Sequence, residues 1–164
     1  MTSADNENHN TSYYNTFAKA LRSQYAKDPS KPYYISAAPQ CPRPDASIPL
    51  GAMQHADFVW VQFYNNGDCN INEPGFDASF AAWSSGLAAA GRAGAKVFVG
   101  APAFEGGGTG YLPSNRVASV IQGAKARGTS NFGGVMLWDG PEAQFNVDQE
   151  GRNYIKTVKA ALST

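Results

Sequence analysis

The chain has 164 residues, 43% of them hydrophobic and 12% aromatic, and its 13 Lys and Arg balance 13 Asp and Glu. That is enough apolar material for one ordinary domain with a sizeable core. Zero net charge, with no basic cluster beyond the scattered Lys125 and Arg127, excludes the electrostatic footprint of a nucleic-acid binder. No stretch reaches the roughly 20 apolar residues of a membrane helix, and the N-terminal segment lacks the apolar core of a signal peptide. Neutral chains rich in aromatics and Asn suit uncharged ligands such as sugars, whose rings stack on Trp and Tyr while amides and carboxylates bond their hydroxyls.

Along the chain, Tyr14, Phe17, Ala18, Leu21 and Tyr25 recur at helical spacing, which predicts an amphipathic helix over 11–27 with Asn10 or Thr11 as cap and Asp28-Pro29 as stop. Residues 33–38 form an apolar run ended by Pro39, and a Pro-rich turn leads to a short helix near 46–53. A second strand is expected at 58–64 and a strong helix at 77–90, with Phe80, Trp83 and Leu87 on one stripe and Gly91 to Gly94 breaking it. A third strand follows at 96–100. Ser114 is placed to cap a helix carrying Val117, Val120, Ile121 and Ala124 that stops at Gly128. A fourth strand at 133–138 and a last helix at 149–162 close the chain.

Short, nearly continuous apolar strands alternating with helices are the pattern of a parallel sheet covered on both faces. Right-handed crossovers allow either an open doubly wound sheet or an arc of a barrel. Gln40, Gln62, Tyr64, Asn65, Glu105, Trp138 and Asp139 all fall at or just past the C-terminal ends of strands, the face on which barrel enzymes gather their chemistry, and this favours the barrel. A complete (β/α)8 barrel takes roughly 250 residues, so the expectation is an α/β chain amounting to about half a barrel.

Four features carry candidate chemistry. In the second strand Trp60, Gln62 and Tyr64 share a face by the period of two, so two polar groups stand beside a large aromatic; hydrogen bonds to backbone at a strand end are the alternative. Asp5 and Glu7, two apart before the first helix, share a face on extended backbone and can couple their ionisations, which suits a general acid; a solvated acidic tail is the alternative. Trp138 is either core packing or a platform for a sugar ring. Cys41 and Cys69 lie a few residues past predicted strand ends, where a disulfide is favoured over two free thiols and would signal an oxidising compartment. Gly106 to Gly110 lacks the Lys-Ser/Thr of a phosphate loop and reads as a flexible loop beside Tyr111. No Gly-x-Ser-x-Gly elbow is present, and the isolated His9 and His55 give no metal spacing.

Taken together, Tyr33-Tyr34-Ile35-Ser36-Ala37-Ala38-Pro39-Gln40-Cys41-Pro42, Val59-Trp60-Val61-Gln62-Phe63-Tyr64-Asn65-Asn66 and Gly133-Gly134-Val135-Met136-Leu137-Trp138 resemble strands five, six and eight of glycoside hydrolase family 18, most closely the class III chitinases of plants and fungi. The resemblance runs from about Asp5 to Leu162 and makes the whole chain, 1–164, a partial catalytic domain from the end of strand four to helix eight. It implies a (β/α)8 barrel that hydrolyses β-1,4-linked N-acetylglucosamine in chitin or chito-oligosaccharides with retention. The substrate's own acetamide is the nucleophile there, an exception to the two-carboxylate rule, and no cofactor or metal is implied.

By the same resemblance Glu7 is the general acid, Asp5 orients the acetamide, and Tyr64 hydrogen-bonds the acetamide oxygen. Gln62 and Asn65 bind sugar, and Trp138 floors the subsite before the scissile bond, often with a cis peptide after it. Cys41 and Cys69 match a family disulfide, and the family is extracellular. The family's strand-four motif Asp-x-x-Asp-x-Asp-x-Glu is met only in its last part: Ser3 stands where the middle Asp belongs, the first Asp falls before Met1, and strands one to four are expected to be missing, so the chain alone is expected to have little or no activity. A non-catalytic chitin-binding lectin and a half-barrel that self-associates through open sheet edges are the competing expectations.

Overall fold

The computed structural model describes residues 1–89, 94–127 and 129–163. Its centre is a parallel five-stranded sheet of β1 (Thr2–Ala4), β2 (Ile35–Ala37), β3 (Phe58–Gln62), β4 (Lys96–Pro102) and β5 (Phe132–Trp138), which lie side by side in chain order. Helices intervene: α1 (Tyr14–Tyr25), the one-turn α2 (Leu50–Met53), α3 (Phe76–Ala89), α4 (Ser114–Ala126), α5 (Gly140–Phe145) and α6 (Tyr154–Ser163). Sequential order in a parallel sheet is what successive right-handed crossovers of one hand produce, and it bends the sheet into an arc of a barrel rather than a doubly wound sheet.

Alternation along the strands separates two faces. Val59 and Val61 of β3 and Val97, Val99 and Ala101 of β4 point outward to the helices and are wholly buried. They meet Phe76, Phe80, Trp83 and Leu87, a stripe of α3 spaced by four, three and four residues, and Val117, Ile121 and Ala124 of α4. Phe63 packs edge-on against Phe76 at 4.9 Å between ring centroids. Each such buried side chain contributes roughly 1.5–3 kcal/mol of transfer free energy, so stability resides on this outer side.

Several expectations change in detail. The segment 1–4, expected to hold no strand, forms β1 and pairs in register with β2, Thr2 opposite Ile35 and Ala4 opposite Ala37. Three extended residues suffice because they need only supply ladder partners to β2. The first helix starts later, with Tyr13 as its cap residue in left-handed conformation and no side-chain cap, because Asn10 and its neighbours are used in the preceding loop. Ser114 is the first helical residue after Pro113 rather than the cap. The last helix, expected at 149–162, is present as α6 but starts at Tyr154, and a helix not expected from the sequence, α5, precedes it, with Asp139 capping α5 by accepting from the Glu142 N–H at 3.1 Å. The stops assigned to Gly91 and Gly128 lie outside the described residues.

Candidate functional site

The C-terminal ends of β1, β3 and β5 open into a cleft of about 400 Å³ lined by Ser3, Asp5, Glu7, Trp60, Gln62, Tyr64, Asn65, Met136, Leu137, Trp138 and Asp139. All six residues expected at the site from sequence therefore come together. The register explains how: Gln62 stands level with Gly100 and Gly100 with Met136, so a missing side chain on β4 leaves room between β3 and β5. A Cβ at Gly100 would meet the Met136 Cε at 2.8 Å and the Val61 carbonyl oxygen at 2.4 Å.

The groups are held individually. The Gln62 Nε2 donates to the Ala38 carbonyl at 2.9 Å and to Asp5 Oδ1 at 3.4 Å, bridging three strands. Asp5 is exposed as a residue, but partial shielding of its carboxyl, and then the charge on Glu7, push its pKa up from the ordinary carboxylate value. Tyr64 is buried, and burial followed by the charges of Asp5 and Glu7 pushes its phenol well above the ordinary value. It is therefore a hydroxyl donor at any physiological pH, facing two carboxylates. Glu7 is exposed on the β1 side of the cleft.

Asn65 has a left-handed backbone, and its amide is engaged with the Gly-rich loop: Oδ1 accepts from the Thr109 N–H at 2.8 Å, and its own N–H donates to the Thr109 carbonyl. Gly108 makes this possible, because φ is +132° there and a Cβ would sit 2.3 Å from Asn65 Oδ1. The loop read as flexible is thus pinned to the cleft rim. Trp138, 49% exposed, ends β5 and is followed by a cis peptide to Asp139. Asn146 fixes the neighbouring segment, its Nδ2 donating to the Ala103 carbonyl at 2.7 Å and to the Tyr111 Oη at 3.1 Å.

Gln40 and Glu105, also at strand ends, do not line the cleft. The Gln40 backbone N–H is held by Asp45 Oδ2 at 2.8 Å, and Glu105 lies in a short 3-10 turn over 105–107. Met136 and Leu137 line it without having been singled out from sequence; for Met136 the signal was available, since it shares the face of Trp138 by the period of two. Cys41 and Cys69 form a disulfide that joins the loops after β2 and β3. The Cys41 carbonyl also accepts from the Trp83 Nε1 at 3.0 Å and from the Ser79 Oγ at 2.8 Å, so the loop is seated on α3. Among the described residues no group of three His, Cys, Asp or Glu side chains is placed to hold a metal.

No family model matches the chain. Endochitinase 3 of Metarhizium robertsii is 43% identical to it over 159 residues, which cover 96% of this chain and 47% of that one. Among solved structures, the ICChI chitinase of Ipomoea carnea superimposes with a TM-score of 0.71 at 25% identity, over 97% of this chain and 54% of that chain. Sequence and fold thus place the chain with the family 18 chitinases. A tamarind chitinase-like lectin aligns with a TM-score of 0.69 at 26% identity, over 88% of this chain and 50% of the lectin. The chain spans about half the length, or less, of the curated relatives it matches. The arc of five strands is accordingly part of a barrel, and the inner face that bears the cleft is the face a closed barrel would turn inward.

Proposed function

We propose that this chain supplies the catalytic half of a barrel that hydrolyses β-1,4-N-acetylglucosamine linkages in chitin, and that by itself it turns over little or no substrate. The observation that carries this is the gathering of Asp5, Glu7, Gln62, Tyr64 and Trp138 around one cleft, with both carboxylates in the segment that leaves the end of β1. Glu7 would protonate the glycosidic oxygen. Asp5, held by Gln62, would orient the substrate acetamide and face the positive charge that develops as the acetamide oxygen attacks the anomeric carbon. Tyr64 would donate its hydroxyl to that oxygen, and the exposed ring of Trp138 would stack under the sugar. Glu7 is exposed in the loop after β1, the edge strand of the sheet, with no further strand among the described residues to wall that side of the cleft, which is the reason for expecting little turnover from the chain alone.

The Cys41–Cys69 disulfide favours an extracellular setting. A fluorogenic chitotriose assay on the purified chain and on Glu7→Gln tests the proposal. Equal, near-background rates are expected, and robust turnover lost in Glu7→Gln would refute the inactivity. Joining the chain to the missing half of a relative's barrel should restore turnover that Glu7→Gln abolishes; no turnover from a folded hybrid would refute the catalytic assignment. Ser3, where the family motif has Asp, favours a second reading as a chitin-binding protein without catalysis, the role that the lectin's name gives that relative. Tight chitin binding together with an inactive folded hybrid would select it.

A further inference from the structure

The loop between β1 and α1 contains Asn10-Thr11-Ser12, the one Asn-x-Ser/Thr triplet in the sequence. All three residues are exposed. Asn10 Oδ1 accepts from the Ser12 N–H at 2.9 Å, so the triplet is bent into a tight turn in which the amide oxygen, not the nitrogen, carries the contact. The turn is anchored from below: the buried Asn6 Nδ2 donates to the Asn10 carbonyl at 2.9 Å and to the Ser47 carbonyl at 3.3 Å, and the His9 N–H donates to Ser47 Oγ at 3.0 Å. Beside it lies an open cavity of about 380 Å³ whose wall includes Asn8, Tyr13 and Phe17. Tyr13 is 85% and Phe17 53% exposed in this chain. Glu7 faces the catalytic cleft, whereas Asn6, Asn8 and Asn10, of opposite parity, line this second cavity.

We propose that Asn10 is an N-glycosylation site. In the transfer, the Asn10 amide nitrogen bonds to the anomeric carbon of a lipid-linked oligosaccharyl diphosphate and loses a proton. The bond from that carbon to phosphate oxygen breaks, and the lipid diphosphate leaves with the electron pair. Surface position in a secreted chain is what the triplet requires, and the exposed turn presents the Asn10 side chain outward. The inference rests on the extracellular reading above but not on chitin hydrolysis.

The test is expression of the full chain behind a cleavable secretory leader in a eukaryotic host, read by intact mass before and after an amidase that releases N-linked glycans. One glycan's mass is expected on the wild type and on Ser12→Thr, removed by the amidase with conversion of Asn10 to Asp, and absent from Asn10→Gln and Ser12→Ala. An unmodified wild type in which the Cys41–Cys69 bond has formed, showing passage through the oxidising compartment, would overturn the proposal. So would a mass increment that persists in Asn10→Gln. Chitotriose turnover is read separately, so failure of the catalytic reading leaves this result distinct.

Discussion

The two faces of the sheet are built from the same strands and do opposite work. On the outer face Val59, Val61, Val97 and Val99 are sealed under α3 and α4, and no polar side chain of β3 or β4 reaches it. On the inner face Trp60, Phe98 and Met136 remain half-buried, and Gln62 and Tyr64 hold polar atoms next to the carboxylates of Asp5 and Glu7. One residue of register separates the two environments, so a strand can hold the fold with one set of side chains and leave the alternate set for chemistry.

The largest expected effect comes from breaking the outer face. Phe80→Ala removes a ring that packs against Phe63, Phe76 and Phe132 and should cost about 3–5 kcal/mol in urea unfolding. Trp138→Ala, on the inner face, should cost less than about 1 kcal/mol while weakening chito-oligosaccharide binding in a titration. Comparable losses from the two would erase the division. Next in size, Cys41→Ser with Cys69→Ser opens a link of sequence separation 28 and should lower stability by about 3.5 kcal/mol. Its effect should appear as a lower denaturant midpoint with the outer core intact.

Gly108→Ala tests the rim. A Cβ there collides with Asn65 at positive φ, so a loss of about 1–3 kcal/mol is expected, together with faster amide exchange at Thr109. The smallest effect belongs to Asp5→Asn. Because the folded carboxyl is held above its unfolded value of 3.8, the folded state takes up this proton more readily, and stability falls as pH rises through the window between the two values. At pH 7 Asp5→Asn should therefore be as stable as wild type or slightly more stable, the gap closing as the pH drops below the ordinary carboxylate range. A wild type more stable than Asp5→Asn at pH 7 would mean that the Gln62 contact outweighs the shielding of the carboxyl.

Where a segment had strong periodicity, the fold was legible. The α3 stripe, the continuous apolar runs of β3 and β4, and the strand-helix alternation all announce burial, which is a property of composition along a few residues. The cleft was legible because Gln62, Tyr64 and Trp138 interrupt those runs at strand ends. What was missed lacked a local signal. Thr2–Ala4 has no apolar run and becomes a strand only because β2 offers it a ladder. The unexpected α5 depends on the Asp139 cap, and the late start of α6 on an antiparallel bridge between Val147 and Asn153.

By itself, then, the sequence determined the parallel α/β order, the identity of the six candidate site residues and the pairing partner of each cysteine as a favoured reading. Only the tertiary structure decided that β1 exists and carries Asp5 to Gln62, that Gly100 opens the space between Gln62 and Met136, and that Asn65 is committed to Thr109. The physical reason is range. Periodicity and turn chemistry act over a few neighbours, whereas a ladder partner, a gap opposite a glycine and a hydrogen bond across 44 positions exist only once distant strands are side by side.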